Sequence, residues 1–366
     1  MKKIRYPTIF SLLALSLFLG GCGTLINPSS WPGLAVEGES VYIAYGSHVY
    51  ALQLSNGAEQ WRFPEEAENS LSFYSAPVLD GDGSLYFGSY SQSASNGNNI
   101  YKVDQKNGNE TWHFDGASNR YIASALVVDG ALYAPNADSI LYKLSTDGQW
   151  LEDWSFQGEE PLWAQPQIDE GVLYLTGMDH HVYAIEESSG EVIWITEDLS
   201  SAIASTPLIG DDGNIYIGTF GSQVLAIDKD TGTTQWTAEM DDWVWGTPAI
   251  LDGNLYIGDQ SGTFMVLDSE SGEQLWSLQA DGGIIGTPLV IDERVYFGTE
   301  AGKIYRIETT ESGDWDFSII HTVEGKVYSP LVLAGDILLI GVVEGESILV
   351  VIDMDGNEKW DFSPEN

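Results

Sequence analysis

Cysteine, histidine and nucleophile motifs are nearly missing from this chain of 366 residues. Its single cysteine, Cys22, excludes an internal disulfide and any metal site built from several thiolates. Of the five histidines, the pair His180-His181 falls in a predicted loop without further ligands, so we expect a solvated loop rather than a metal site. No G-x-S-x-G nucleophile signature occurs. The sequence therefore predicts neither a catalytic residue nor a metal ligand.

Basic residues are also scarce, with 14 Lys and Arg against 55 Asp and Glu, for a formal net charge of −41. A field of this sign repels phosphate backbones and anionic headgroups, which excludes nucleic acid as a partner. The charge favours the solubility of an exported protein, and it would also attract basic segments of partners or divalent cations. Residues 80–84 and 353–357 resemble the start of a calcium loop. Both lack the flanking helices and distal glutamate of an EF-hand, so hairpin turns are expected.

Helical periodicity is missing after residue 30, and a repeat of short β-prone segments takes its place. Residues 205–236 are the clearest unit, with the sequence STPLIGDDGNIYIGTFGSQVLAIDKDTGTTQW. Related units recur along the chain, and each closes on a tryptophan: Trp61, Trp112, Trp154, Trp194, Trp236, Trp276, Trp315 and Trp360. Eight copies at a period of about 40 residues are typical of propeller blades. We expect these tryptophans to pack in the core between blades.

Each unit holds four segments rich in β-branched or aromatic residues, separated by turns. Val224 to Ile227 is apolar without alternation, so neighbours must cover both faces of that strand. Units with two apolar faces have to stack, and radial stacking of four-stranded sheets is the β-propeller. The sequence therefore predicts an all-β fold, with residues 31–366 forming a single eight-bladed β-propeller of four-stranded antiparallel blades. Blade 1 begins with its inner strand and blade 8 ends with its outer one, so a monomeric ring is expected to close blade to blade.

The run A-x-D-x-x-[ST]-G-x-x-x-W occurs at residues 226–236, and with valine in place of alanine at residues 266–276. It resembles the pyrroloquinoline-quinone (PQQ) enzyme repeat, and the resemblance covers nearly all of the chain after residue 30. That repeat builds eight-bladed propellers in quinoprotein dehydrogenases and in the BamB family of outer-membrane-assembly lipoproteins. The resemblance implies a non-enzymatic scaffold that binds envelope proteins or peptides. The alternative that it implies is a PQQ-dependent dehydrogenase or another ligand-binding propeller that uses an aromatic channel mouth.

The PQQ alternative meets two obstacles in the sequence. In the dehydrogenases that the repeat resembles, a vicinal disulfide and a tryptophan clamp the cofactor ring, and this chain has no second cysteine. PQQ is also a tricarboxylate, so its pocket needs cations and often Ca²⁺. Arg120 is the only basic residue that we expect near the channel mouth. We therefore expect no bound cofactor.

The N-terminus has the pattern of a lipoprotein signal. Three basic residues among the first five precede an apolar run, residues 8–19, that is too short to span a membrane as a mature helix. Leu-Gly-Gly-Cys at residues 19–22 is similar to the lipobox of bacterial lipoproteins, which implies cleavage before Cys22 and its acylation. Residues 1–21 are then the signal peptide and 22–30 a lipidated tether. No Asp follows the cysteine, which favours an outer membrane facing the periplasm in a diderm bacterium; in a monoderm the anchor would hold the protein on the outer face of the cell membrane.

The loops that enter the inner strand of each blade are expected to line one mouth of the channel. Three residues before the strand-opening proline, or its equivalent, stand Tyr74, Ala123, Trp163, Ala204, Trp245, Ile285 and Val327. Aromatic concavities anchor peptides, sugars and planar ligands. We therefore take the large aromatics at or near these positions as candidate ligand or partner residues: Tyr74, Trp163, Trp243, Trp245 and Tyr328. The alternative is that these rings simply plug the wide end of the channel.

Overall fold

The structure is a computed structural model that describes residues 31–68, 70–91, 97–310 and 312–364. These residues form strands joined by turns and loops, with no α-helix among them. The strands make eight antiparallel sheets, each from strands consecutive in sequence. The predicted eight-bladed β-propeller is therefore confirmed. Within the same residues no helix has the length and apolarity that a membrane crossing needs.

In every blade the strands run in sequence order from the channel to the outside. The first four blades contain the following strands. Blade 1 has β1 (Gly33–Glu37), β2 (Ser40–Tyr45), β3 (His48–Gln53) and β4 (Glu59–Phe63); blade 2 has β5 (Leu71–Phe73), β6 (Val78–Leu79), β7 (Ser84–Ser91), β8 (Ile100–Asp104) and β9 (Glu110–Phe114); blade 3 has β10 (Leu126–Val128), β11 (Ala131–Pro135), β12 (Ile140–Ser145) and β13 (Phe156–Gln157); blade 4 has β14 (Gln167–Asp169), β15 (Val172–Thr176), β16 (Val182–Glu186) and β17 (Val192–Ile195).

The remaining blades repeat this order. Blade 5 has β18 (Leu208–Ile209), β19 (Asn214–Thr219), β20 (Gln223–Asp228) and β21 (Thr234–Glu239); blade 6 has β22 (Ala249–Leu251), β23 (Asn254–Gly258), β24 (Thr263–Asp268) and β25 (Gln274–Gln279); blade 7 has β26 (Leu289–Ile291), β27 (Arg294–Gly298), β28 (Lys303–Thr309) and β29 (Trp315–Thr322); blade 8 has β30 (Val332–Ala334), β31 (Ile337–Gly341), β32 (Leu349–Asp353) and β33 (Glu358–Phe362).

Blade 2 departs from four strands. Its β7 is long enough to pair with two short strands, β5 near its end and β6 near its start. The two short strands together take the place of a single inner strand. Residues 92–96, which follow β7, lie outside the described residues.

The middle two strands of each blade are the most deeply buried. In blade 5, β19 and β20 are buried along almost their whole length, whereas most of the outer strand β21 is exposed. This is the burial that an uninterrupted apolar run predicts, because the adjacent blades cover both faces of the middle strands. The core is accordingly a series of inter-blade clusters rather than one central cluster.

Six tryptophans join their blades to the next one, at six of the eight joints between blades. Each indole N–H donates to a backbone carbonyl in the neighbouring blade at 2.8–3.0 Å: Trp61 to Gln105, Trp112 to Thr146, Trp154 to Glu187, Trp194 to Lys229, Trp236 to Ser269 and Trp360 to Leu54. Each ring also covers the turn glycine of that blade; a Cβ built on Gly272 would lie 2.6 Å from Trp236. Trp61 and Trp154 are fully buried and the others partly so.

Blade 7 does not keep this arrangement, and the prediction that Trp315 is its closing tryptophan is wrong. Trp315 pairs with Thr309 at the start of β29, and the position that tryptophan holds in other blades belongs to Ser318, opposite Arg306. The usual turn chemistry is lost between β28 and β29, which lengthens the hairpin and shifts the register. Trp315 and Trp276 both pack against the apolar cluster between blades 6 and 7.

The ring closes where blade 1 meets blade 8. Leu34, Ile43 and Tyr50 of blade 1 share one apolar cluster with Leu349 and Phe362 of blade 8. The Trp360 hydrogen bond to Leu54 crosses the same joint. Within residues 31–364, as far as the structure describes them, no strand is shared between the two blades, so closure is by side-chain packing, as expected from the sequence.

Candidate functional site

A channel with a volume of about 950 Å³ runs through the centre of the ring. Its walls come from the inner strands of the blades and from the loops that lead into them. One end is the mouth formed by these loops and the other lies at the far ends of the inner strands of blades 4 and 5. The two ends differ in character, since one is aromatic and the other charged.

The mouth loops are anchored to the preceding blade. Val244 is fully buried, and its N–H donates to Thr219 O at 3.0 Å, at the end of the second strand of blade 5. The glycine before that strand end gives the loop room, because a Cβ on Gly218 would lie 2.2 Å from Val244 Cγ1. Trp245 follows directly and lines the channel. A buried anchor followed by a channel-facing residue is thus how this fold presents its aromatics.

The same anchor precedes two other aromatics. Leu162 donates its N–H to Asn136 O at 3.2 Å and is followed by Trp163; Val327 donates to Thr299 O at 3.1 Å and is followed by Tyr328. Val327 is therefore a buried anchor, and Tyr328 holds the ring position that the sequence alignment gave to Val327. The alignment slipped by one residue because the proline of blade 8, Pro330, stands one place earlier relative to the strand than in the other blades.

Four of the five candidate residues, Tyr74, Trp163, Trp245 and Tyr328, line the channel. Trp243 does not line it. Its side chain is 47% exposed outside the mouth, where it stacks on Phe220 with ring centroids 5.4 Å apart and planes at 19°. Phe220 also contacts Trp245, with ring centroids 4.4 Å apart. Trp243 therefore extends the aromatic surface outward from the channel.

Two members of this surface were not found by sequence reasoning. Trp31 contacts Trp245 and Tyr328, each at a centroid distance of 5.5 Å, from the residues just before β1. Phe220 lies in the turn between β19 and β20. The one sequence signal for Phe220 was that a large aromatic residue stands in an otherwise polar turn. We call the five aromatic residues at this side of the mouth the Trp245 cluster: Trp31, Phe220, Trp243, Trp245 and Tyr328.

A second group of side chains lies at the opposite side of the mouth. Arg120 places its guanidinium 5.5 Å from the centroid of Tyr90 and 5.8 Å from that of Trp163. Tyr74 is 6.1 Å from Tyr90. Burial raises the pKa of Tyr74, and the positive charge of Arg120 opposes that rise. We call Tyr74, Tyr90, Arg120 and Trp163 the Arg120 cluster.

The far end of the channel is charged. Lys229 Nζ donates to Asp169 Oδ2 at 2.5 Å, and this contact raises the pKa of the lysine. Glu170 and Asp211 line the same end. Among the described residues that line this end, Lys229 is the one cation and Asp169 neutralises it, so Glu170 and Asp211 leave a negative balance.

The residues present do not fit a PQQ cofactor. A tricarboxylate needs several cations. Within the described residues the mouth has Arg120, while Lys326, beside Tyr328, is paired with Glu344 and the lysine at the far end is held by Asp169. No group of three or more metal-ligating side chains occurs among the described residues, so the Ca²⁺ that often accompanies this cofactor has no evident ligand set there. We derive no redox step from this channel.

The two stretches that resemble calcium loops are hairpin turns. Asp80 Oδ1 accepts the N–H groups of Asp82 and Ser84, and Asp80 Oδ2 accepts the Tyr86 hydroxyl. These hydrogen bonds hold the pKa of Asp80 below its usual value, against the opposing effect of burial. Asp353 Oδ1 accepts the backbone N–H and the side-chain amide N–H of Asn357. Both carboxylates are thus occupied by their own turns.

Comparison with protein families identifies one match over nearly the whole chain. A family model described as outer membrane protein assembly factor BamB matches residues 24–153, 147–242 and 220–363. The overlapping matches follow the repeats around the ring.

Among curated proteins, the chain is 27% identical over 132 residues to quinoprotein alcohol dehydrogenase PedH from Pseudomonas putida, covering 33% of this chain and 22% of that protein. It is 26% identical over 114 residues to a quinoprotein ethanol dehydrogenase from Pseudomonas putida, covering 29% and 18%. The chain thus spans about a fifth of the length of these relatives.

Among solved structures, BamB from Moraxella catarrhalis superposes with a TM-score of 0.69 at 17% identity, covering 87% of this chain and 92% of that one. The computationally designed Ika8 protein superposes with a TM-score of 0.72 at 15% identity, covering 89% and 96%. At these identities the likeness establishes the propeller fold and nothing finer.

Proposed function

Because this chain belongs to the outer membrane protein assembly factor BamB family, we propose that it is a non-enzymatic scaffold that binds other proteins at the bacterial cell envelope. In this proposal Cys22 carries a lipid anchor and the propeller presents docking surfaces to partner proteins. The family supports an envelope setting, and one surface feature of the propeller supports protein binding.

That feature is the outer strand of blade 4. In β17 the side chains of Val192, Ile193 and Ile195 are 48%, 53% and 48% exposed. The matching strand of blade 5 carries Gln235 and Thr237 at the positions of Ile193 and Ile195. An exposed apolar strand at a sheet edge invites pairing with another chain, so its presence favours a docking role.

The edge also indicates what kind of segment would bind. An extended peptide can add to a free sheet edge by backbone hydrogen bonds, with its apolar side chains covering those of the edge. Exposed Glu191 and Glu197 flank β17, in a protein with a large negative charge. The partner segment is therefore extended and apolar, with basic residues at its ends.

The double variant Ile193→Lys, Ile195→Lys tests this edge. We expect it to abolish crosslinking to the partner from a photoreactive residue placed at position 192, because two charges cannot be covered by an apolar segment. The matched control is Gln235→Lys, Thr237→Lys on β21, which adds the same charge at equivalent, exposed positions. The measurement is crosslinking in intact membranes, with partners identified by mass spectrometry. Crosslinks that survive in the blade 4 variant would contradict docking at β17. Equal crosslinking to the partner from a photoreactive residue placed on β21 would also contradict it.

Cys22→Ser tests the anchor. Cys22 lies outside the described residues, and the prediction rests on the sequence at residues 19–22. We expect the variant to move from the membrane to the soluble fraction and to lose labelling by a radioactive fatty acid, because attached acyl chains supply the membrane affinity. Its circular dichroism and melting temperature should match those of the parent propeller. Continued sedimentation with membranes at high salt would rule out the lipid anchor.

If Cys22 is acylated, the channel mouth is held close to the membrane. Nine peptide units separate Cys22 from Trp31 and span at most about 30 Å when fully extended. Trp31 lies at the mouth itself. A partner that binds at the mouth would therefore meet the propeller within that distance of the membrane surface.

Ligand binding at the mouth is the second candidate, and the Trp245 cluster is the observation that favours it. Partly exposed aromatic rings around a concavity are common anchors for planar or apolar ligands. Addition of PQQ and Ca²⁺, followed by the absorption spectrum and by dye reduction with alcohols, separates this candidate from the scaffold. The scaffold proposal predicts no dye reduction, and a clear dehydrogenase activity would replace it.

A further inference from the structure

We propose that the Arg120 cluster binds a carboxylate carried on an aromatic group. This site lies in the channel mouth, away from the β17 edge, and it does not depend on the scaffold proposal. The site combines a cation without a carboxylate partner in an acid-rich protein, two buried donors without acceptors, and an aromatic surface around them.

The first observation is that Arg120 has no carboxylate partner among the described residues. Eight of the eleven lysines and arginines in residues 31–364 lie within 4.0 Å of a carboxylate oxygen. Of the rest, Lys102 donates to Thr146 O, and Lys106 is exposed in a turn. Carboxylates outnumber cations severalfold in this protein. A guanidinium beside the channel mouth that has no carboxylate partner is therefore available to bind an anion that is not part of the chain.

The second observation is a pair of unmet donors. Arg120 Nε and Trp163 Nε1 are both buried, and neither has a hydrogen-bond partner within the described residues. A buried N–H group without an acceptor is destabilising, and such groups are uncommon in folded proteins. A carboxylate can accept from several N–H groups at once, and a guanidinium matches its two oxygens. A carboxylate bound by the guanidinium would satisfy these donors once the two side chains turn toward it, because both N–H groups are closed to solvent in this structure.

The third observation is the apolar surface beside the cation. Tyr90 and Trp163 present their ring faces to the guanidinium, and Tyr74 adjoins Tyr90. Tyr74 and Trp163 also line the channel, so a ligand entering the mouth meets both. An aromatic group attached to the carboxylate would pack on these rings. The strong negative charge of the protein opposes ligands with several negative charges, which limits the ligand to a single carboxylate.

Such a carboxylate has two possible sources, a small aromatic acid or the free C-terminus of a peptide that ends in an aromatic residue. Isothermal titration of the whole propeller at low salt uses a matched pair of probes for each source. The pairs are phenylacetate with phenylacetamide, and N-acetyl-Ala-Ala-Tyr with its C-terminal amide. We expect at least one acid to bind and its amide to bind at least about tenfold more weakly, because the amide cannot form charge-assisted hydrogen bonds. The acid that binds more tightly identifies the source.

Arg120→Gln should weaken acid binding at least about tenfold and leave any amide binding unchanged. Its control is Arg294→Gln, which removes an equal charge from an exposed ion pair with Glu308 on blade 7. If Arg120→Gln lowers the melting temperature, Arg120→Lys keeps the charge and should retain part of the affinity. Trp163→Phe keeps an aromatic ring but removes the donor, and should weaken binding several-fold. Equal affinity for acid and amide, no binding of either acid, or an unchanged affinity in Arg120→Gln would each overturn the proposal.

Discussion

Above about pH 10 the protein is expected to unfold over a narrow pH interval, because buried tyrosines that hydrogen-bond to carboxylates stay protonated in the folded protein but ionise in the unfolded chain. The motif recurs around the ring. Four tyrosine hydroxyl oxygens lie 2.5–3.1 Å from a carboxylate oxygen: Tyr86 from Asp80, Tyr142 from Asp138, Tyr183 from Asp179 and Tyr216 from Asp212. Tyr133 makes the same contact with Glu187. Burial, reinforced by the adjacent carboxylate, raises the pKa of each of these five tyrosines.

The direction of the effect follows from proton binding. The folded protein holds these five protons to a higher pH than the unfolded chain does, so the free energy of unfolding falls once the pH exceeds the unfolded tyrosine pKa of about 10. The stabilisation is fully present below that pH and is lost as the pH rises through the folded pKa values. Each tyrosine contributes a slope of about 1.4 kcal/mol per pH unit, so five give about 7 kcal/mol per unit. Domain stabilities of about 5–15 kcal/mol would be exhausted within one or two units.

Urea unfolding between about pH 8 and about pH 11 measures this loss, and ultraviolet absorbance counts the ionised tyrosines in the same samples. Tyr216→Phe should reduce the pH slope by the share of one tyrosine. Tyr90→Phe is the matched control, because Tyr90 makes no hydrogen bond to a carboxylate among the described residues. A urea midpoint that stays constant to pH 11 would show that these hydroxyls do not govern stability.

Trp236→Ala is expected to destabilise the propeller by about 3 kcal/mol, near the lower end of aromatic-to-alanine substitutions because Trp236 is partly exposed. The substitution removes the indole from the Gly272 turn of blade 6 and leaves a cavity between blades. It also deletes the hydrogen bond from the indole N–H to Ser269 O, a contribution of about 1 kcal/mol. Packing loss therefore accounts for most of the effect.

Urea or thermal unfolding at neutral pH provides the measurement for Trp236. Trp236→Phe keeps most of the packing and should lose about 1–2 kcal/mol. Trp243→Ala is the control, since that ring is 47% exposed and its loss should change stability by less than about 1 kcal/mol. A change below about 1 kcal/mol for Trp236→Ala would mean that the tryptophan contact does not hold the blades together.

The blade architecture could be predicted because its signals are local. Turn glycines, the apolar run of β20 and the closing tryptophan all lie within about 40 residues of one another, and each has a fixed place in one hairpin. Where local chemistry weakened, prediction failed. The turn before β29 lost its usual residues, and Trp315 was consequently assigned to the position of Ser318.

The mouth was predictable only in part, because it is assembled from several blades. Trp163 and Trp245 could be placed by counting back from a strand-opening proline. Trp31 lies just ahead of β1. Its contact with Trp245 joins blade 1 to blade 6 across the channel. The approach of Arg120 to Tyr90 and Trp163 likewise brings together three loops or strands that are distant in sequence. Such proximities depend on how the ring is curved, and the sequence pattern does not specify that.

The joint between blades 1 and 8 has a mechanical consequence. Every backbone ladder is confined to one blade, so this joint can part without breaking any of them. Three contacts resist separation of the two blades. They are the apolar cluster that blades 1 and 8 share, the hydrogen bond from the Trp360 indole to Leu54 O, and a hydrogen bond from Ser329 Oγ to Pro32 O at 2.5 Å. Tension applied through the amino-terminal residues reaches β1 first. It would therefore load the contacts of blade 1, this joint among them, before those of the blades further along the chain, and blade 1 could separate from blade 8 and return without breaking a strand pairing.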